Sequence, residues 1–136
     1  MREPLSGALG KRNVFSGEIR VIPDHCLNFG DYDESSRTQH ERRYVLILQG
    51  DETSNNDTCQ ALLVAPLSSR IENKRSWEDI LTPSETPLTS PSIVKLQLLQ
   101  PVSCRVLLDD GAFAGAIQDA VLDRLRVHLI DNPGIR

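Results

Sequence analysis

Two short apolar runs with polar ends constrain this chain more than any other feature. The first is Arg43-Tyr44-Val45-Leu46-Ile47-Leu48-Gln49-Gly50-Asp51, and the second is Leu63-Val64-Ala65-Pro66-Leu67-Ser68-Ser69. Runs this short, rich in branched aliphatics and bounded by Gly, Asp and Ser, suit buried strands better than helices. Each strand would deliver its polar end to a rim: an arginine opening the first, a serine closing the second. A guanidinium and a hydroxyl so placed are suited to holding a phosphate.

The flanking sequence extends the pattern. Gly17–Pro23 alternates and stops at proline, as a first strand does. Asp24 to Arg42 is a long polar connection, a functional loop or a disordered one. Arg43–Gln49 is the expected second strand, Gly50–Asp57 a turn, and Thr58–Leu67 the third strand. A charged stretch, Arg70 to Trp77, follows. Thr82–Pro91 carries Pro83, Pro87 and Pro91, which restricts it to a loop or an edge. Ile93–Leu99 and Val102–Leu108 read as the last strands, broken at Gln100-Pro101. Beyond Asp109-Asp110-Gly111 the period changes. Ile117, Ala120, Val121, Leu125, His128 and Leu129 share one helical face, and Asn132-Pro133-Gly134 stops the helix. The expected fold is mainly β with a C-terminal helix, a small antiparallel barrel or curled sheet. Residues 1–136 are expected to form one domain, with 1–12 a loose arm and 13–131 the barrel plus terminal helix.

Composition narrows the function classes. The formal charge of −4 gives no global pull toward nucleic acid, although a small basic groove on an acidic body remains compatible with it. Aromatic residues make up 4% of the chain, too few for a face of stacked rings. Cys26, Cys59 and Cys104 lie far apart with one left over, which suits reduced thiols rather than a disulfide framework or a zinc site. Met1 to Phe15 lacks the apolar stretch of a signal peptide, and no run approaches a membrane span. The expectation is a cytoplasmic protein with no metal and no cofactor.

Taken in order, the motifs resemble the MazF/PemK (Kid) toxins of type II toxin–antitoxin systems. The resemblance runs from Gly17-Glu18-Ile19 through Arg43–Asp51 and Val64-Ala65-Pro66-Leu67-Ser68-Ser69. It continues through Ile93-Val94-Lys95-Leu96 and Val102-Ser103-Cys104-Arg105-Val106-Leu107 to the helix, covering roughly residues 17–130. It implies a small SH3-like antiparallel barrel of the CcdB/MazF/Kid type. It also implies a homodimer that cuts single-stranded RNA, such as mRNA, without a metal, and an antitoxin partner whose tail fills the groove. The family's catalytic arginine and threonine fall on Arg43 and Ser68. Tyr44 stands where the family usually has proline, and Ser68 where it usually has threonine; the hydroxyl survives that change.

Cleavage of this kind uses the ribose 2′-hydroxyl as nucleophile on the adjacent phosphate. The protein must align the attack, stabilise the added negative charge and protonate the leaving oxygen. Arg43 suits the charge, since a guanidinium is always protonated and binds phosphate oxygens in two places. Ser68 would hold a non-bridging oxygen. His25, His40 and Glu41, in or beside the loop over the expected groove, are candidates for the general base. Arg20, Arg42, Ser69, Arg70, Lys74 and Arg75 are candidates for RNA contacts.

Plainer readings stand beside these. Ser68-Ser69 is ordinary turn chemistry, and Arg70, Lys74 and Arg75 equally suit a solvated strand edge that discourages aggregation. Trp77 suits the core as well as a stacked base. His128 reads as a packed histidine. Asp24-His25-Cys26 suggests a metal or cysteine-hydrolase site, but adjacent residues on a strand end point apart and further ligands are missing. The acidic group Asp31, Asp33 and Glu34 would repel RNA if it lay over the groove. The alternative function is a non-catalytic binding module on the same barrel. It would be a topoisomerase poison of the CcdB type, with Ile135 and Arg136 in the tail, or a degenerate member that binds RNA or a partner.

Overall fold

Val45, Leu46 and Ile47 are all fully buried, although successive strand residues point to opposite faces. The sheet that holds them must therefore be covered on both sides. A computed structural model shows how, and describes residues 14–28, 42–49, 60–74 and 78–131.

Strand β2 (Arg42–Ile47) lies between β1 (Glu18–Pro23) and β3 (Ala61–Ser68), antiparallel to both. The first half of β3 pairs with β6 (Gln100–Ser103), and its last two residues pair with β5 (Ser92–Val94). The edges are β4 (Asp79–Leu81), paired with β5, and β7 (Ala112–Ala116), paired with β1. The order is thus β4-β5-β3-β2-β1-β7, with β6 beside β3. Pro66 lies where β3 exchanges β6 for β5, a position at which a missing amide hydrogen costs no ladder bond. Its carbonyl accepts from the Lys95 amide at 2.9 Å.

Helix α1 (Asp119–Asp131) covers one face of this curled antiparallel sheet. Val121, Leu122 and Leu125, with Ile117 just before the helix, pack on Ile19, Leu46, Ala65, Leu67 and Val94. On the other face Ile22, Val45, Ile47, Leu62 and Val64 are covered by Val14, Leu27 and Leu107, the last from a wide helical turn at Val106–Asp110. Gly17, at φ +91°, ties the start of β1 to the end of β2 and to the segment that leads into α1. Its amide donates to the Ile47 carbonyl at 2.7 Å, and its own carbonyl accepts from the Ile117 amide at 2.9 Å.

The mainly β fold with a terminal helix matches the sequence expectation; several element boundaries do not. β2 begins at Arg42 and ends at Ile47, and β3 begins at Ala61. The expected strand Ile93–Leu99 stops at Val94, and Leu96–Leu98 forms a 3-10 turn instead. Lys95 turns inward to a buried partner and ends the extended run. The expected strand Val102–Leu108 is β6 followed by the helical turn, and Gln100-Pro101 lies inside β6 rather than breaking the chain. Proline is tolerated there because β6 pairs on one side only among the described strands. β4 and β7 were not foreseen. On α1, Leu122 is buried where Ala120 was expected, because the helix starts only at Asp119 and the phase read from Ile117 is displaced. The expected arm at 1–12, the turn at 50–57 and the acidic group at 31–34 lie outside the described residues. No helix among the described residues is long and apolar enough to cross a membrane.

Candidate active site

The site is assembled where β1, β2 and β3 end together. Ile22 lies opposite Arg43 across β1 and β2, and Val45 lies opposite Pro66 across β2 and β3. Continuing the second register by two residues sets Arg43 across from Ser68 on the same face. The side chain follows that register: Arg43 Nη1 donates to the Leu67 carbonyl at 3.4 Å.

Beyond β1 the chain forms a 3-10 turn, Asp24–Cys26, entered through Pro23 at φ −61°. The turn closes with the Leu27 amide donating to the Asp24 carbonyl at 3.1 Å. It places the Asp24 carboxylate against Arg43, whose Nε donates to Oδ1 at 2.7 Å. The Arg43 side chain is 10% exposed and that of Asp24 7%. Arg43 is therefore a buried, paired cation and not the open rim residue that the strand pattern implied.

Ser68 is the last residue of β3 and half-buried. Its Oγ accepts from the Arg70 amide at 3.2 Å, which fixes the oxygen and leaves the hydroxyl proton to be donated elsewhere. Ser69, Arg70 and Lys74 follow it and are exposed. Arg42, beside Arg43, is exposed and donates to the Val21 carbonyl at 2.9 Å.

Arg20 is turned away from this group. Its guanidinium binds Glu18 Oε1 at 2.7 Å and stacks 5.5 Å over the Phe113 ring on β7. His25 follows Asp24 on the same turn and is exposed, with Nδ1 3.8 Å from Cys26 Sγ. The sequence reading had these neighbours pointing apart as on a strand end; a 3-10 turn does not alternate faces, and it brings them into contact. His40, Glu41, Arg75 and Trp77 lie outside the described residues.

Two further polar groups brace the β4 edge. Lys95 Nζ donates to Glu78 Oε2 at 2.8 Å, and Gln97 Nε2 donates to the same oxygen at 2.7 Å. Arg124 on α1 donates to Glu85 Oε2 at 2.7 Å, and its other amino group lies 3.6 Å from Asp79. The hydrogen bond from Arg124 holds the Glu85 carboxyl below the usual glutamate value, and the same bond raises Arg124. His128 is not simply packed: its Nδ1 lies 2.9 Å from Asp79 Oδ2.

A small curled antiparallel sheet with a terminal helix also agrees with a family match. Residues 26–131 match the family of PemK-like, MazF-like toxins of type II toxin–antitoxin systems. The chain belongs to the PemK/MazF toxin family. No curated protein matches it. The family match begins at Cys26, so β1 precedes it, yet β1 fills the place between β2 and β7 in this toxin's sheet. A type II toxin is paired with an antitoxin that neutralises it, so family membership implies an antitoxin partner.

Asp24 was weighed in the sequence only as part of Asp24-His25-Cys26, for metal or cysteine chemistry that was set aside, and not as a partner of Arg43. Its one visible signal was position, a carboxylate directly after a strand-closing proline. Nothing in the sequence named Arg43 as the cation it would meet.

Proposed function

We propose that this toxin is an endoribonuclease that cleaves single-stranded RNA by attack of the ribose 2′-hydroxyl on the adjacent phosphate. The carrying observation is the placement of Arg43 and Ser68 at adjoining strand ends, with Arg43 Nη1 reaching the carbonyl next to Ser68. Arg43 stabilises the charge that builds on the phosphate, and its fork geometry matches phosphate oxygens. Ser68 donates its hydroxyl proton to a non-bridging oxygen. His25, on the turn beside Arg43, takes the 2′-hydroxyl proton as base, and the departing 5′-oxygen takes up a proton from water beside the Arg43 guanidinium. Arg42, Ser69, Arg70 and Lys74 track the strand's phosphates. Membership of a family whose members are typically endoribonucleases supports this reading. The working form is proposed to be a homodimer in the cytoplasm.

The test is cleavage of a mixed-sequence single-stranded RNA by antitoxin-free protein in excess EDTA, with Ser68→Ala beside it. Discrete cuts that leave a 2′,3′-cyclic phosphate are expected, weakened on the order of a hundredfold by the substitution, the usual effect of removing one oxyanion donor. A folded protein that leaves varied RNAs intact would refute nuclease activity and return attention to a binding module.

A further inference from the structure

We propose that Asp24 is a positioning residue for the cleavage reaction, holding the Arg43 guanidinium by its Nε edge so that the Nη1 end meets the phosphate beside Ser68. The inference rests on the ribonuclease reading above and adds a residue to its machinery.

The geometry is specific. A guanidinium offers one edge through Nε and another through its two terminal nitrogens. Asp24 engages Nε at 2.7 Å, while Nη1 is directed at the end of β3, 3.4 Å from the Leu67 carbonyl. The carboxylate is itself anchored. It stands on a closed 3-10 turn between Pro23, with its fixed φ, and Leu27, whose amide returns to the Asp24 carbonyl. An arginine side chain carries about 2 kcal/mol of rotamer entropy, and a short contact at Nε removes much of that freedom before substrate arrives.

Stability alone does not account for the pair. Both side chains are about nine-tenths buried, and a buried ion pair is seldom more stabilising than apolar residues of the same volume. The carboxylate also has a cost for function: its negative charge lies beside the site of an anionic substrate. Orientation and charge therefore act in opposite directions, and they separate in kinetics. Orientation governs the chemical step, whereas repulsion weakens ground-state binding.

The experiment compares kcat and KM for RNA cleavage in Asp24→Ala, Asp24→Asn and Asp24→Glu, each checked for folding by circular dichroism. Asp24→Ala is expected to lower kcat roughly 10- to 100-fold, the scale of a displacement near 1 Å at the reacting centre. Asp24→Asn keeps an oxygen for Nε and drops the charge, so it is expected to recover most of kcat with a lower KM. Asp24→Glu, longer by one methylene, pushes the guanidinium out of place and lowers kcat even where the alanine variant fails to fold. In an Arg43→Ala background, Asp24→Ala should cause no further loss of the residual single-turnover rate. Unchanged kcat in the folded variants, or an equal loss in the Arg43→Ala background, would overturn the positioning role and leave the ribonuclease reading standing. A folded wild type that cuts no RNA would overturn both.

Discussion

Arg43→Ala will remove more than a reacting group. Its guanidinium and the Asp24 carboxylate form a buried pair at 2.7 Å, with side chains 10% and 7% exposed. Deleting one partner of such a pair costs about 3–5 kcal/mol, because the other charge loses its counter-ion. Asp24 sits on a turn at the sheet's end, where water can reach it after the truncation, so the lower bound, about 3 kcal/mol, is the expected penalty. For a chain of this length 1 kcal/mol corresponds to ~3–4 °C, which places the variant's Tm about 10 °C below the wild type. Urea unfolding followed by far-UV circular dichroism measures this directly. The decisive comparison is Asp24→Asn/Arg43→Ala, in which the carboxylate charge is gone as well; at least half of the lost stability should return. An Arg43→Ala protein within about 0.5 kcal/mol of the wild type would refute the buried-pair account. So would a double variant no more stable than the single one. The consequence for toxicity assays is practical: loss of growth inhibition in Arg43→Ala speaks to chemistry only when the double variant, refolded to similar stability, is inactive too.

Three further outcomes follow from the packing and ion pairs around the sheet's edges. Lys95→Met takes the counter-ion from the fully buried Glu78 carboxylate, which keeps its bond from Gln97, and should cost about 3 kcal/mol in urea unfolding, much of it recovered when Glu78→Leu is added. Gly115→Ala should cost 1 kcal/mol or more, about the scale of a residue forced to positive φ, because Gly115 has φ +126° and its new methyl would also meet the Pro87 ring; thermal unfolding reads the loss. Glu85, held below its ordinary value of 4.5 by Arg124, contributes stability that is fully present above that value. The contribution is lost as pH falls through the lowered folded-state value, so Glu85→Gln should flatten the acid limb of the stability profile.

What the sequence disclosed divides by physical cause. The strands around Val45–Ile47 and Val64–Leu67 were legible because their burial is dense and their ends are marked by Arg, Gly and Ser. Residues 93–108 misled because Leu96 and Leu107 are as apolar as strand residues but are buried from turns. Apolarity reports burial, and only a regular period reports the element. β7 was hidden for the opposite reason: Ala-Phe-Ala-Gly-Ala has little strand character and owes its conformation to the β1 edge. Of the candidate site, the nearness of Arg43 and Ser68 at adjoining strand ends was legible, whereas the Asp24 contact depends on a turn whose geometry the residues Asp-His-Cys do not encode. Nor did the sequence distinguish Arg20, paired with Glu18 two positions away, from the arginines beside the site.

The bond from the Ile117 amide to the Gly17 carbonyl, with β7 zipped along β1, joins stretches of chain separated by most of its length. Local contacts form early in folding and such distant ones late. During synthesis at about 5–20 residues per second, β1 waits roughly 5–20 s for β7 to be made, and longer for it to clear the ribosome. Throughout that interval the strand leading into the Asp24 turn lacks one of its two neighbours, and Ile19 lacks the helix that covers it. The nascent toxin is thus expected to remain incompletely folded, its assembly gated by translation of its own last helix.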